Sequence, residues 1–290
     1  MKRVLLIGKT GQLGSEIMKD AFSFGFEIVG FKQEELDVTN HLQVKKKIEK
    51  IKPNIVINTS AYQVVSICQE NPMAAMAVNF IAVLNLARIC KENNVIFVTY
   101  SSDYVFDGQR GAPYEEEDLP NPLQMYGLSK LAGEYAALHV HPGGVFVIRT
   151  CGIYGGKTGS PQKGNFVLNI LKEAQDKEII EVGSDMIVSP TYAGDLSKAT
   201  LKLLNSKAEP EIYHLISEGA CSWYEFTKEI FTLSNINKEL KPVDRRGFDG
   251  RVKRPTFSAL KNTKAKILGI ELPSWKEGLK SYIGFLNKNE

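Results

Sequence analysis

The chain has 290 residues, of which 43% are hydrophobic and 24% charged, and its net charge is +3. That is ordinary for a globular protein with ample length to bury a core, and the charge is too small and too evenly spread to argue for a nucleic-acid partner. No run of ~18 apolar residues marks a membrane span. Nothing ahead of the apolar residues that begin at Val4 has the form of a leader. The four cysteines, Cys68, Cys90, Cys151 and Cys221, are far apart in sequence and show no Cys-x-x-Cys spacing. This pattern points to reduced thiols in a cytoplasmic protein and offers no metal site.

Arg3 to Ile7 reads as a strand, Gly8-Lys9-Thr10-Gly11-Gln12-Leu13-Gly14 as a glycine turn, and Ser15 to Phe22 as a helix. Strand, Gly-x-x-Gly-x-x-Gly and helix in that order suit a dinucleotide. Gly8 permits the turn, Gly11 lets the backbone approach a pyrophosphate, Gly14 lets helix and strand pack closely, and the helix N-terminus turns free amides to the phosphates. Thr10, Gln12 and Leu13 belong to the same turn. Phe26 to Val29 is the second strand. Lys32 follows it where the ribose should lie and favours a 2′-phosphate, although Glu34 and Glu35 stand close by. Asp37 is either an adenine contact or a turn residue before a helix over His41 to Ile51.

Ile55 to Asn58 is a third strand, with Ala61 and Tyr62 just beyond its carboxyl end, where open α/β sheets bind ligands. Pro72 opens a helix predicted over Met73 to Asn93, and Val95 to Tyr100 is the fourth strand, ending at Ser101-Ser102-Asp103. A Pro-rich acidic loop, Pro113 to Pro122, precedes Met125-Tyr126-Gly127-Leu128-Ser129-Lys130. Tyr126 and Lys130 are four apart and share one helix face. An ammonium beside a phenol favours the phenolate, so the pair can move a proton near neutral pH; the alternative is a surface Tyr beside a solvated Lys. Val145 to Ile148 is the fifth strand, ending in Arg149-Thr150. The alternation predicts an α/β fold, a Rossmann-type doubly wound parallel sheet with a smaller mixed α/β substrate domain. Residues 1–151 form the dinucleotide-binding part, joined by 185–206, and residues 152–184 and 207–290 form the interleaved substrate part. Helices are expected over Asn165 to Asp176, after Pro190-Thr191 to Leu204, and from Ser222 or Trp223 to Leu233. A strand is expected over Ile212 to Ile216, and Val243 to Pro255 is basic and irregular.

Together these stretches resemble the dTDP-4-dehydrorhamnose reductase family of extended short-chain dehydrogenase/reductases. The resemblance rests on the turn Gly8 to Glu16, Ser101-Ser102-Asp103-Tyr104-Val105-Phe106-Asp107-Gly108, Tyr126 to Glu134, Ser189-Pro190-Thr191, Ser222-Trp223-Tyr224 and Arg254-Pro255. It implies a triad of Ser102, Tyr126 and Lys130. Tyr126 would give a proton to a ketone oxygen that Ser102 hydrogen-bonds, and Lys130 would lower the Tyr126 pKa and hold the nicotinamide ribose, so Tyr126 and Lys130 count as cofactor contacts too. It implies NADPH or NADH as cofactor. The substrate would be a nucleotide-linked sugar, contacted by Ser102, Asp103, Tyr104, Asn165 and Arg254, with a homodimer left open. Related dehydratases carry an Asp-Glu pair after the strand-end hydroxyl. Asp103-Tyr104 here lacks the Glu, which favours reduction.

The chain departs from the family in two places. Ser66 and Gln69 replace acidic residues after the third strand, and Gly152 stands where the family often has a sugar-facing Trp. Glu16 matches one carboxylate of an intersubunit metal site found in some members, but the others are not identifiable, so no metal is expected. The expected reaction is reduction of the 4-keto group of dTDP-4-dehydro-L-rhamnose for polysaccharide synthesis. The rival readings are a nucleotide-sugar epimerase with retained NAD and a non-catalytic subunit similar to the methionine adenosyltransferase beta subunit.

Overall fold

The computed structural model describes residues 1–156, 164–248 and 250–288. In chain order the elements begin with β1 (Lys2–Ile7), α1 (Gln12–Asp20), β2 (Phe26–Phe31), α2 (His41–Ile51), β3 (Ile55–Asn58), α3 (Val65–Glu70) and α4 (Pro72–Met76). A π-helical stretch over Ala77–Ile81 leads into α5 (Ala82–Glu92), followed by β4 (Ile96–Ser102), α6 (Met125–Val140) and β5 (Val145–Thr150). The rest comprises α7 (Phe166–Asp176), β6 (Ile179–Gly183), β7 (Ile187–Val188), α8 (Ala193–Asn205), β8 (Ile212–His214), β9 (Cys221–Ser222), α9 (Trp223–Leu233), β10 (Glu239–Val243), α10 (Lys264–Ile267) and α11 (Trp275–Asn287).

Six strands form one sheet in the order β2-β1-β3-β4-β5-β8, and every pairing in it is parallel. Such a sheet must be covered on both faces, which explains strands that are apolar throughout, as in Val4-Leu5-Leu6-Ile7 and Ile55-Val56-Ile57. One face packs α1 and α8 through Ile17, Leu196 and Leu201; the other packs α2 and α5 through Val44, Leu86 and Cys90. The chain leaves β1 for β2 on one side and returns to β3 on the other, so the strand order reverses beside the carboxyl end of β1. β8, expected in the substrate part, pairs with β5 and extends this main sheet. The substrate-side layer is a separate aromatic core of Tyr154, Tyr192, Phe226, Trp275 and Tyr282, gathered from loops, α9 and α11.

Pro72–Glu92 is by length and composition apolar enough to cross a membrane, contrary to expectation. Its apolar residues are accounted for by packing: Ala82, Val83, Leu86, Ala87 and Cys90 form part of the core against the sheet and α6. All four cysteines are buried and none is joined in a disulfide.

Candidate active site

The glycine turn is shaped for a dinucleotide. Gly8 has φ +89°, and a Cβ there would stand 2.6 Å from Thr59 Oγ1. A Cβ on Gly14 would lie 2.1 Å from the Gly8 carbonyl oxygen, so only glycine lets α1 pack on the turn. Gly11 is open except for that same carbonyl at 3.4 Å, and it caps α1 without any side-chain hydrogen bond. The first-turn amides of α1 therefore face outward for an anion, and the cradle fits a pyrophosphate. At the end of β2, Lys9 Nζ lies 2.8 Å from Glu35 Oε2, and Lys32 Nζ lies 3.8 Å from Glu34. Two lysines and two glutamates thus share the expected ribose end. Asp37 is held in its own turn, accepting from Thr39 N at 2.9 Å and Thr39 Oγ1 at 2.8 Å, which favours the turn reading.

The loop beyond β3 is fixed to the helix of the Tyr–Lys pair. Asn79, buried in the π-helical stretch, accepts from Tyr62 N at 2.9 Å and donates to Tyr62 O at 2.9 Å and to Ser129 Oγ at 3.0 Å. Gln69, one of the departures from the acidic pattern, accepts from Met125 N at 3.1 Å and so helps cap α6 beside Gln124, which accepts from Gly127 N at 2.9 Å. α6 is pressed close on both sides. A Cβ at Gly127 would meet the Tyr104 carbonyl oxygen at 2.0 Å, and one at Gly133 would meet the Asn79 carbonyl oxygen at 2.2 Å. The glycine after Tyr126 is therefore what brings that tyrosine against the end of β4.

Ser102, Tyr126 and Lys130 converge there. Ser102 hydrogen-bonds the Tyr126 phenol, accepts from Tyr104 N at 3.1 Å and donates to Asp103 Oδ1 at 2.8 Å. Burial pushes the Tyr126 phenol above its ordinary value, and the largest relief comes from the Ser102 hydrogen bond rather than from Lys130. The expected lowering by the ammonium is therefore not what the structure shows, and Tyr126 is a neutral phenol that keeps its proton to give. Lys130 is buried and drawn down to about 8, first by desolvation, with Glu134 one turn further on opposing the shift. Glu134 is in turn held by Arg149, whose Nη2 lies 2.7 Å from Glu134 Oε2 and whose guanidinium sits 5.2 Å from the Phe106 ring centroid. Both side chains of this pair are 1% exposed, so α6 is tied to β5 through a dry ion pair.

On the substrate side, Tyr104 packs edge-on to Tyr126 with centroids 6.1 Å apart and takes a hydrogen bond from Arg254 Nη1 at 3.3 Å. Burial pushes the Tyr104 phenol up to about 12, with Arg254 opposing. Two expected substrate contacts are turned elsewhere. Asp103 is buried, and its carboxyl is engaged by Ser102 and by Ser258 Oγ at 2.6 Å. Asn165 caps α7 by accepting from Leu168 N at 2.9 Å, and it donates to Gly155 O at 3.2 Å and Tyr282 Oη at 2.8 Å, so both of its amide hydrogens are used within the fold. Gly152 has φ +52°, and a Cβ there would stand 3.2 Å from Trp223 Cη2. Trp223, tilted against Phe166 with ring centroids 4.4 Å apart, thus occupies the space over the position where the family Trp was expected.

Sequence reasoning missed Asn79, Glu134, Arg149 as a partner of α6, and Ser258. Only Glu134 carried a local signal, four residues beyond Lys130 on the same helix face. The others act at longer range: Arg149 reaches Glu134 across 15 residues, Asn79 reaches Tyr62 across 17 and Ser129 across 50, and Ser258 reaches Asp103 across 155.

A family profile described as RmlD substrate binding domain matches residues 1–287. The chain is 32% identical over 283 residues to the spore coat polysaccharide biosynthesis protein SpsK of Bacillus subtilis, covering 98% of this chain and 97% of that one. It is 33% identical over 294 residues to the dTDP-4-dehydrorhamnose reductase of Aggregatibacter actinomycetemcomitans, covering 97% and 98%. The crystal structure of dTDP-4-dehydrorhamnose reductase from Bacillus anthracis in complex with NADP superposes with a TM-score of 0.92 at 33% identity, over 98% of this chain and 99% of that one. With the profile spanning almost the whole chain and the fold superposing throughout, the chain belongs to the RmlD family, that of the dTDP-4-dehydrorhamnose reductases.

Proposed function

We propose that this protein reduces the 4-keto group of a dTDP-linked 6-deoxy sugar, dTDP-4-dehydro-L-rhamnose, to dTDP-L-rhamnose for polysaccharide synthesis. NADPH or NADH, when bound, supplies the hydride. The observation that carries the reading is the neutral Tyr126 phenol hydrogen-bonded to Ser102 at the end of β4, one helical turn from Lys130. As charge builds on the ketone oxygen, Tyr126 gives it a proton and Ser102 steadies it. Lys130 holds the nicotinamide ribose hydroxyls. The lysines at the end of β2, Lys9 and Lys32, face the adenosine ribose, where a 2′-phosphate would compete with Glu35 for Lys9. Tyr104 and Arg254 meet the nucleotide-sugar, and Arg254 suits a diphosphate through its bidentate fork. Trp223 serves as the aromatic wall of the sugar pocket in place of a side chain at Gly152.

The test is loss of reduced-nicotinamide absorbance with dTDP-4-dehydro-L-rhamnose and either cofactor. Turnover that falls by about 10²–10⁴ in Tyr126→Phe, with cofactor still bound, is the expected result. Absence of oxidation with both cofactors refutes the substrate assignment.

A further inference from the structure

Lys9 and Glu35 form a pair at the end of β2, and what the pair does for the cofactor rests on the reductase reading above. The glycine turn is tied to that strand end, since Gly8 N and Lys9 N both donate to Phe31 O, at 2.9 and 3.0 Å. The Lys9 side chain then runs across β2. A Cβ on Gly30 would stand 3.1 Å from Lys9 Cβ and 3.3 Å from Lys9 Cδ, so the glycine leaves room for the lysine stem. The ammonium ends 2.8 Å from Glu35 Oε2. Glu35 is held from the other side as well. Its Oε2 accepts from Lys32 N at 3.1 Å, and Glu35 N and Leu36 N both donate to Lys32 O at 3.0 Å. Leu36, 1% exposed, anchors this turn in the core. The hydrogen bond from Lys9, and next that from Lys32 N, keep the Glu35 carboxyl below its ordinary value, so it carries its charge. Lys32 is held more loosely, with Nζ 3.8 Å from Glu34 and a side chain 47% exposed.

NADH and NADPH differ only at the 2′ position of the adenosine ribose, a hydroxyl in one and a phosphate in the other. A hydroxyl can donate to a carboxylate, and Glu35 has lone pairs enough to accept it while keeping Lys9. A phosphate dianion has no proton to give. It draws Lys9 and Lys32 toward itself and leaves the Glu35 charge unpaired beside it. The lysines therefore suit NADPH, and the carboxylate opposes it.

We infer that Glu35 is a specificity-determining residue for the cofactor: by holding Lys9 it stands in for the 2′-phosphate and admits NADH to a site whose lysines alone would select NADPH. The Gly30 gap in β2 belongs to the same device, because it lets the lysine of the glycine turn reach the carboxylate.

Titration of NADH and NADPH against the full chain, followed by nicotinamide fluorescence, tests this without any sugar. Glu35→Gln keeps the side-chain length and an oxygen for Lys32 N but removes the charge. It is expected to tighten NADPH about tenfold and to weaken NADH, the scale of one hydrogen bond to a charged group. NADPH affinity in Glu35→Gln should also fall more steeply with salt than in wild type, because Lys9 then pairs with the phosphate alone. Lys9→Met is expected to weaken NADPH about tenfold more than NADH. If Lys9→Met does not fold, Glu35→Gln decides alone, since Glu35 lies on an exposed turn. A Glu35→Gln protein whose ratio of the two affinities stays within about twofold of wild type, or in which both affinities move alike, overturns the inference. Binding of neither cofactor overturns it together with the reductase reading. A chain that shows these shifts but does not turn over dTDP-4-dehydro-L-rhamnose refutes the sugar assignment and upholds the inference.

Discussion

Replacing Lys130 by Met should make the ligand-free protein more stable and at the same time inactive. The ammonium is enclosed by the fold, and its proton affinity falls from 10.5 to about 8, with desolvation outweighing the attraction of Glu134. At ~1.4 kcal/mol per pH unit that difference is a cost of roughly 3 kcal/mol, carried wherever the lysine is protonated in both folded and unfolded chains. The sign follows from the depressed folded value. Below about pH 8 the full penalty applies; between about 8 and 10.5 the folded lysine sheds its proton before the unfolded one does, and stability recovers as pH rises. Met is close to Lys in length and asks for no hydration, so Lys130→Met should gain up to about 3 kcal/mol at pH 7. Denaturant unfolding of both proteins across this range measures it: the gap should be widest at pH 7 and close toward pH 10.5. Turnover should meanwhile collapse for want of the ribose contact, the trade expected where a functional group sits strained. A Lys130→Met protein less stable than wild type at pH 7, or a gap that does not change with pH, would refute the reasoning.

Gly127→Ala should be more damaging than a helix-favouring substitution normally is. The new Cβ would meet the Tyr104 carbonyl oxygen at 2.0 Å, so α6 must withdraw from β4. We expect a cost of about 1–3 kcal/mol in thermal unfolding and a kcat that falls while cofactor affinity, measured by fluorescence titration, holds. Glu134→Gln should cost about 3–5 kcal/mol by leaving the Arg149 charge uncompensated in a dry site, and Glu134→Gln with Arg149→Met should recover part of it in the same unfolding assay. Tyr126→Phe, by contrast, should leave stability nearly unchanged while abolishing most turnover, since the lost hydroxyl's described protein partner is Ser102.

Local pattern was enough to read the sheet and the cofactor turn. β3 and α2 fall where the sequence puts them, because a short apolar run after Pro53-Asn54 and an Asn40-capped amphipathic stretch each carry their own stop and start signals. The long helix after Pro72 was legible as one element, but the π-helical turn within it was not. Its cause is Asn79, whose side chain clamps Tyr62 and Ser129, and nothing local marks that role. β6 and β10 escaped for a similar reason. They pair only with each other across 60 residues, and Glu239 to Val243 reads as polar edge rather than strand. α11, although it opens with a Ser274–Glu277 capping box, was also missed. In the site, Ser102, Tyr126 and Lys130 could be named because the chemistry needs those side chains. Asp103 and Asn165 could be named too, but not their direction, since direction depends on Ser258 and Tyr282, which lie 155 and 117 residues away.

Gly152 shows how such long-range choices substitute for one another. Its left-handed backbone, φ +52°, costs a residue with a Cβ roughly 1–2 kcal/mol, and Trp223 would crowd that Cβ at 3.2 Å. The glycine and the α9 indole are therefore one solution: a bulky side chain at 152 and the present position of Trp223 exclude each other. Trp223 is held by Phe166 at 4.4 Å and by Phe226 at 5.9 Å, in a cluster that also packs Trp275. An aromatic carried by a helix and braced on a second aromatic has fewer ways to move than one on the loop after β5, so the surface it forms is preorganised. The same logic governs the reacting groups. Asn79 joins the β3 loop to α6, Arg149 joins α6 to β5, and Ser258 joins the substrate segment to β4. These three ties hold α6 and the end of β4, the elements that carry Tyr126 and Ser102, without using the Tyr126 hydroxyl, which hydrogen-bonds Ser102.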